Sequence, residues 1–411
     1  MRLRAQKEQL TRFEPLTKYY PILDDVAYLD NAATAQMSKL TRVSLELATK
    51  QLRGNPGRGL YKASDEATEA IESCREAVAG FIHAQSSEEI IFTSGTTESL
   101  NTVARWYDKR LQKDDEIIVS VQEHHSNFLP WFALAQRTGA KIVCIKPEQN
   151  GALSWTAAHN AINPRTKIVA LSMIGNVYGY LNQLDWVSLM AHKAGAVLVV
   201  DAAQAAMHTK IDVQKMDCDF LAFSGHKMGA PFGIGVLYAK KALQACMEPV
   251  CYGGGMVEGF DTKVFRATEP PYCFEAGTRN PFACIGLSSA IMTLNLIGMD
   301  IIKERERDLT EALIKELDNV PGVHIIGGHG VDEHHSLVSF TLDGVHAHDV
   351  ASIMADNNVY VRAGQMCAQP LINHLGVPAV VRASVALYNS FADVAKFGDV
   401  LKTVRHKMGV E

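Results

Sequence analysis

The apolar run AVLVVD ends in Asp201, Gln204 follows three residues on, and the next run, DFLAFS, leads straight into SGHK and Lys227. An acid at one strand tip and a lysine just past the next suit a pyridoxal phosphate site. Such a site needs a Schiff-base lysine and a carboxylate partner for the pyridinium nitrogen. Asp201 would keep the ring nitrogen protonated, because an opposite charge held close favours the charged form, and the protonated ring can accept carbanion electrons. Lys227 would hold the cofactor and later move the Cα proton. Alone, Asp201 reads equally well as a helix N-cap and Lys227 as a solvated surface lysine; their juxtaposition points to chemistry.

Two further segments fit the same site. EEIIFTS runs into SGTTESLN, a turn whose backbone N–H groups and helix dipole suit a phosphate, and Thr96 with Ser224 and His226 could cradle it. A capping role explains Thr96 by itself, and neither a Walker lysine nor a complete GxGxxG supports nucleotide binding. DEIIVSVQEHHSN puts His124 and His125 directly after another strand, where the first imidazole could stack on a cofactor ring and the second reads as structural. Adjacent histidines without acidic or cysteine ligands at suitable spacing are no metal signature. The pairs His334/His335 and His346/His348 lie in loop-like sequence and read as solvated.

These residues need a scaffold of strands that end at one edge. From Glu88 to about Ala239, seven β-rich runs (EEIIFTS, DEIIVSV, AKIVCI, TKIVALSMI, AVLVVDA, DFLAFS, GIGVLYA) alternate with helical stretches, predicting a mostly parallel, helix-covered sheet. Between Ala63 and Phe81, Ala67, Ile71, Cys74 and Val78 form one apolar helical stripe, so Cys74 reads as core. A single long helix is expected from about Pro281 to Leu317. Beyond Pro321, GVHIIG, SLVSFTL, VYVRAG and VRASVALY predict a smaller α/β unit. The expected division is 1–20 as a leading segment packed on the small domain, 21–295 as the large domain and 296–411 as the small one.

Composition is that of an ordinary globular enzyme: 411 residues, 47% hydrophobic and 21% charged. A formal net charge of -5 without blocks of like charge argues against nucleic acid as a partner. The longest apolar stretch, AGAVLVVDAAQAAM, carries Asp201 and falls short of the ~18 residues that suggest a membrane span. Eight cysteines without CxxC pairs indicate neither a disulfide framework nor a zinc knuckle, and suggest a reducing, cytoplasmic location. The basic opening MRLRAQKEQLTRF contains Glu8 and reads as an exposed leading helix rather than a transit peptide.

Taken in order, YLDNAAT, FTSGTTESLN, EHHSN, GNVYG, VVDAAQ, FSGHK, GIGVLY, FEAGTRN, RAGQMCAQP and RASVALYN resemble the class V aminotransferase group, specifically the short-loop cysteine desulfurases, over nearly the whole chain. That resemblance implies fold type I of the PLP-dependent transferases, an α/β large domain with a mostly parallel seven-stranded sheet and a smaller C-terminal α/β domain. It implies Lys227 as Schiff-base lysine, Asp201 as pyridinium partner, His124 on the ring and Gln204 near the phenolic oxygen. Asn176 and Arg382 would hold the substrate carboxylate. Thr96, Ser224 and His226 would bind phosphate with Thr278 of a second subunit, hence a homodimer. Arg362 and Arg58 match positions near the site's mouth, where a structural salt bridge is the alternative for each.

The resemblance makes Cys367 the nucleophile; it lies in loop-like sequence, and the access and thiolate character a nucleophilic thiol needs could be favoured by a neighbouring arginine such as Arg362. The implied reaction converts L-cysteine to L-alanine, leaves a persulfide on Cys367 and passes the sulfur to a small acceptor protein, in iron–sulfur cluster assembly. Alternatives are a selenocysteine lyase, a cysteine sulfinate desulfinase, or a related lyase in which Cys367 is incidental. Met366, Arg279 and Tyr61 depart from residues frequent at those positions in the group, and bear on the acceptor and on substrate preference.

Overall fold

The computed structural model describes residues 19–20, 26–57 and 59–410. The expected leading helix and Arg58 therefore lie outside the described residues.

All seven β-rich runs become strands of one sheet: β2 (Ile90–Thr93), β3 (Glu116–Ser120), β4 (Lys141–Ile145), β5 (Thr166–Ser172), β6 (Val197–Asp201), β7 (Phe220–Ser224) and β8 (Gly235–Ala239). They follow a short β1 (Ala27–Tyr28) that pairs elsewhere. Their order is β2-β8-β7-β6-β5-β3-β4, with parallel pairing from β7 to β4. β8 runs antiparallel to both neighbours. The segment 225–234 between β7 and β8 is shorter than the dozen or so residues a parallel crossover needs, so the chain must return antiparallel.

Alternation along the buried strands feeds two cores. Leu198 and Val200 of β6 join a cluster with Ile71, Cys74, Val187 and Leu287, whereas Val199 joins Leu100, Trp131 and Phe220 on the opposite face. Cys74 is fully buried, as the helical stripe predicts. Cys144 is not: β4 is the edge strand, and its thiol is exposed.

The helix expected from Pro281 to Leu317 is two helices, Pro281–Ile297 and Met299–Asp318, bent by 80°. Gly298 takes φ 92° at the break, a conformation that costs glycine little. The bend moves the chain from one core to the next. Leu287 and Leu294 sit under the large sheet, and Leu309, Leu313 and Leu317 pack with Val338, Phe340 and Phe397 under the second. Among the described residues no single helix is long and apolar enough to cross a membrane.

The second sheet is fully antiparallel in the order β11-β12-β15-β14, comprising β11 (Val323–Ile326), β12 (Leu337–Leu342), β14 (Arg362–Gly364) and β15 (Val380–Ser384). β13 (Val359–Tyr360) pairs instead with β1, and β9 (Val257–Phe260) with β10 (Phe265–Ala267) form a separate hairpin.

One buried cation escapes the apolar pattern. Arg75, on the helix Lys62–Phe81, forks onto Glu275 at 2.7 and 3.0 Å and donates to the Ile90 carbonyl, while the Phe92 amide shares the same carboxylate. A desolvated pair of this kind is tolerable because further hydrogen bonds, including Arg75 Nε to Glu72 at 3.0 Å, take up the remaining donors and acceptors. It fixes β2 against the turn that carries Thr278. Arg279 joins the network through Glu275 and stands over the Tyr272 ring, which accounts for an arginine at that position.

Candidate active site

Parallel strands bring their C-terminal ends to one edge, where α/β sheets bind ligands. Asp201 is the last residue of β6, Ser172 the last of β5 and directly opposite it, and Ser224 the last of β7. The single helical turn Gly225–Met228 then carries Lys227. Asp201, Ser224, His226 and Lys227 line a cavity of about 220 Å³ together with Thr96, His124, Asn176 and Gln204. Two larger cavities, of about 430 and 540 Å³, contain none of these residues. Chemistry rather than size therefore selects the smaller one.

Several wall residues are held by hydrogen bonds or stacking. Asp201 Oδ1 accepts from the Ala203 amide at 2.8 Å, and Gln204 Nε2 donates to the Ala32 carbonyl at 2.8 Å. The Thr96 amide donates to Ser224 Oγ at 2.8 Å, and the two hydroxyls lie 2.7 Å apart at the start of the helix Thr96–Trp106. That helix end presents hydroxyls and its positive dipole to the cavity. His226 stacks on Phe232 with ring centroids 5.1 Å apart.

Burial sets the charges. It raises the Asp201 carboxyl above its ordinary range, against the pull of Lys227. It lowers Lys227, a largely enclosed amine, against the opposing pull of Asp201. The His124 imidazole is lowered to about 4, first by burial and then by Lys227; Nδ1 accepts from the Ser126 amide at 3.1 Å, which leaves Nε2 as the protonated nitrogen. A neutral ring at neutral pH follows. Its contribution to stability is whole above pH ~6.5 and declines as pH falls toward 4, because the unfolded chain takes the proton first. Nitrogen-15 NMR of the imidazole is expected to show no protonation of His124 between pH 8 and about 5; a midpoint near 6.5 would contradict this environment.

Asn176 lines the cavity, and Arg382 stands directly behind it. Arg382, on β15, donates from Nη1 to the Asn176 carbonyl at 2.9 Å and stands 3.5 Å from Asp30, while burial pulls its guanidinium down to about 10. Arg382 Nε and Asn176 Oδ1 are buried without a hydrogen-bond partner. A guanidinium donor enclosed in this way suits an anionic ligand. Arg362 pairs with Asp30 at 3.7 Å and is otherwise exposed, so the salt-bridge role is the one it visibly has.

Cys367 is exposed on the loop after β14. The loop is fastened to the cavity wall: the His125 amide donates to the Cys367 carbonyl at 2.6 Å, the Gln369 amide to His125 Nε2 at 3.2 Å, and Asn176 Nδ2 to the Met366 carbonyl at 2.7 Å. His125 is thus structural. Cys367 lies within electrostatic reach of both Lys227 and Arg382. Met366 is buried beside Val177, Tyr178 and Leu371, an apolar anchor for the loop. Thr278 lines the 540 Å³ cavity with Asn55, Gly255 and Tyr272, apart from its own chain's Lys227.

Sequence reasoning missed Glu123 and Ser172. Glu123 is buried beneath His124, where desolvation pushes its carboxyl up to about 8; it accepts from Asn127 Nδ2 at 2.6 Å and from Ser172 Oγ. Its place beside His124 in EHHSN was the available signal. His334, expected in solvent, is buried, with Nδ1 3.0 Å from the Tyr178 carbonyl and Nε2 2.7 Å from that of Gly328. His346 and His348 are exposed as expected.

The aminotransferase class-V model matches residues 27–397. A probable cysteine desulfurase of Halalkalibacterium halodurans is 39% identical over 401 residues, covering 96% of this chain and 98% of the relative. The cysteine desulfurase of Thermococcus onnurineus superposes with a TM-score of 0.92 at 37% identity, over 96% of this chain and 98% of the other. The Escherichia coli cysteine desulfurase CsdA, solved with an S-sulfonic acid, superposes at 0.89 with the same identity and coverage. With both sheets, the Lys227 cavity and the Cys367 loop inside the matched span, the chain belongs to the class-V aminotransferase family.

Proposed function

We propose that this protein is a pyridoxal phosphate-dependent cysteine desulfurase, which converts L-cysteine to L-alanine and carries the sulfur as a persulfide on Cys367. The observation that carries this reading is Lys227 facing Asp201 in one cavity whose wall is hydrogen-bonded to an exposed cysteine loop.

The wall suits the cofactor. Thr96, Ser224 and His226 would take the phosphate, Asp201 the ring nitrogen, Gln204 the phenolic edge and Lys227 the aldehyde carbon, with neutral His124 against the ring. Bound there, pyridoxal phosphate supplies an electron sink for a carbanion at Cα. The remaining work falls to the chain itself. Arg382, with a guanidinium Nε lacking a partner, receives the substrate carboxylate beside the spare amide N–H of Asn176. Lys227, its basicity moderated by burial, removes the Cα proton. The Cys367 thiolate then attacks the substrate sulfur; an S–S bond forms as the C–S bond breaks, and the three-carbon fragment takes up protons to leave as alanine.

The reading extends to a homodimer in which Thr278 of one subunit serves the other's phosphate, to a small acceptor protein that takes the persulfide sulfur toward iron–sulfur cluster assembly, and to the reducing cytoplasm, in keeping with eight free cysteines. The test is incubation of cofactor-loaded protein with L-cysteine, L-selenocysteine or L-cysteine sulfinate, with a reductant. Alanine and sulfide in equal amounts from L-cysteine are expected. Alanine from only one of the other two substrates would transfer the assignment to that substrate.

A further inference from the structure

The loop that carries Asn176 has an unusual set of partners. Four consecutive carbonyls, those of residues 176–179, each meet a group from the β11–β15 side of the molecule. The Asn176 carbonyl accepts from Arg382 Nη1 at 2.9 Å and that of Val177 from Ser339 Oγ at 2.7 Å. The Tyr178 carbonyl meets His334 Nδ1 at 3.0 Å, and that of Gly179 accepts from the His335 amide at 2.8 Å. Ser339 on β12 and Arg382 on β15 are cross-strand partners, so one face of the second sheet presents both donors side by side. Ser339 is fully buried.

The arrangement has a directional consequence. With its backbone held at four successive points, the loop keeps the Cα and Cβ of Asn176 in place beside the cavity. That side chain in turn donates to the Met366 carbonyl, next to Cys367. Arg382 is engaged in the same ladder through Nη1, which aims the rest of its guanidinium. We propose that Ser339 is a positioning residue for the carboxylate site: its hydroxyl, with His334 one carbonyl further on, sets the orientation of Asn176 relative to Arg382 and so the affinity for the α-carboxylate of the amino-acid substrate. This inference rests on the desulfurase reading only for the identity of that substrate; an amino-acid carboxylate of any kind would use the same ladder. Ser339 touches no reacting atom, so its effect should fall on binding rather than on the chemical step.

The test compares wild-type protein with Ser339→Ala, and with His334→Asn as a second variant outside the strand core. Three quantities are read: KM and kcat for L-cysteine, and the dissociation constant of L-alanine from the shift in cofactor absorbance. Loss of one net hydrogen bond is expected to raise KM and the alanine dissociation constant about fivefold in Ser339→Ala, with kcat changed less than about twofold and the free cofactor spectrum unaltered. His334→Asn should move the same two constants in the same direction. Unchanged alanine binding in either folded variant, or a fall in kcat at constant KM, would overturn the proposal. Absence of alanine production by the wild type would instead sink the desulfurase reading, while weaker L-alanine binding by the variants would still support the ladder.

Discussion

Lys227→Ala is expected to remove turnover and the visible absorbance of the bound cofactor together. The lysine is the cation inside the cavity, facing Asp201, and it has two roles: covalent attachment and movement of the Cα proton. General acid–base work alone is worth ~10² to 10⁴ in rate, and loss of the attachment adds to this, so turnover should fall by about 10⁴-fold or more. The same change leaves Asp201, already raised by burial, without its neutralising partner, and the carboxyl rises further. Lys227→Arg separates the two effects. It returns a positive charge and cannot form the Schiff base, so thermal stability should recover with no visible band and no alanine. A Lys227→Ala protein that, freed of amino acids, kept a Schiff-base band stable to borohydride-free dialysis and a covalent cofactor adduct in the intact mass would place the cofactor on another residue.

Much of this site could be read without coordinates, for a definite physical reason. Strands buried on both faces are written as apolar runs, and a polar residue at the end of such a run marks the point where burial stops and a ligand edge begins. Asp201, Ser224 and the Lys227 turn are all of that kind. What escaped notice depends on contacts distant in the chain or on a single residue against a strong pattern. The antiparallel return of β8 follows from the length of one connection. The 80° bend rests on Gly298 alone, between two segments that read as one helix. Arg75 and His334 are polar residues whose burial is compensated by Glu275 and by the Tyr178 and Gly328 carbonyls, partners that no local periodicity announces. The four-carbonyl ladder joins 176–179 to 334–382, and it needs both sheets in place before it exists. Tyr61 at the start of a helix is exposed, its hydroxyl reached by the Asn55 amide at 3.4 Å; nothing in the structure explains a tyrosine there.

Cys367→Ser is expected to lose persulfide formation while keeping the cofactor band and amino-acid binding. The substitution is close to isosteric, and the loop around it is fixed by backbone groups that serine retains: the Cys367 carbonyl on the His125 amide, the Met366 carbonyl on Asn176, and the buried Met366 side chain. Met366 and Cys367 both hold positive φ, 53° and 52°, a conformation that costs a non-glycine residue energy and persists only where neighbours impose it. Here that shape belongs to a loop with an exposed cysteine, whose Met366 carbonyl is hydrogen-bonded to Asn176 of the Lys227 cavity wall. A serine hydroxyl in the same place cannot supply a thiolate, so alanine formation from L-cysteine should fall on the order of 10³-fold and the sulfur adduct should vanish from the intact mass. Cysteine sulfinate provides the internal control. Its C–S bond can break without an attacking thiol, so any alanine formed from it should survive Cys367→Ser. Equal loss with both substrates would mean that the loop shapes the cavity rather than collects sulfur. Selective loss with L-cysteine would make Cys367 the sulfur acceptor, because the two substrates share every other step at Lys227, Asn176 and Arg382.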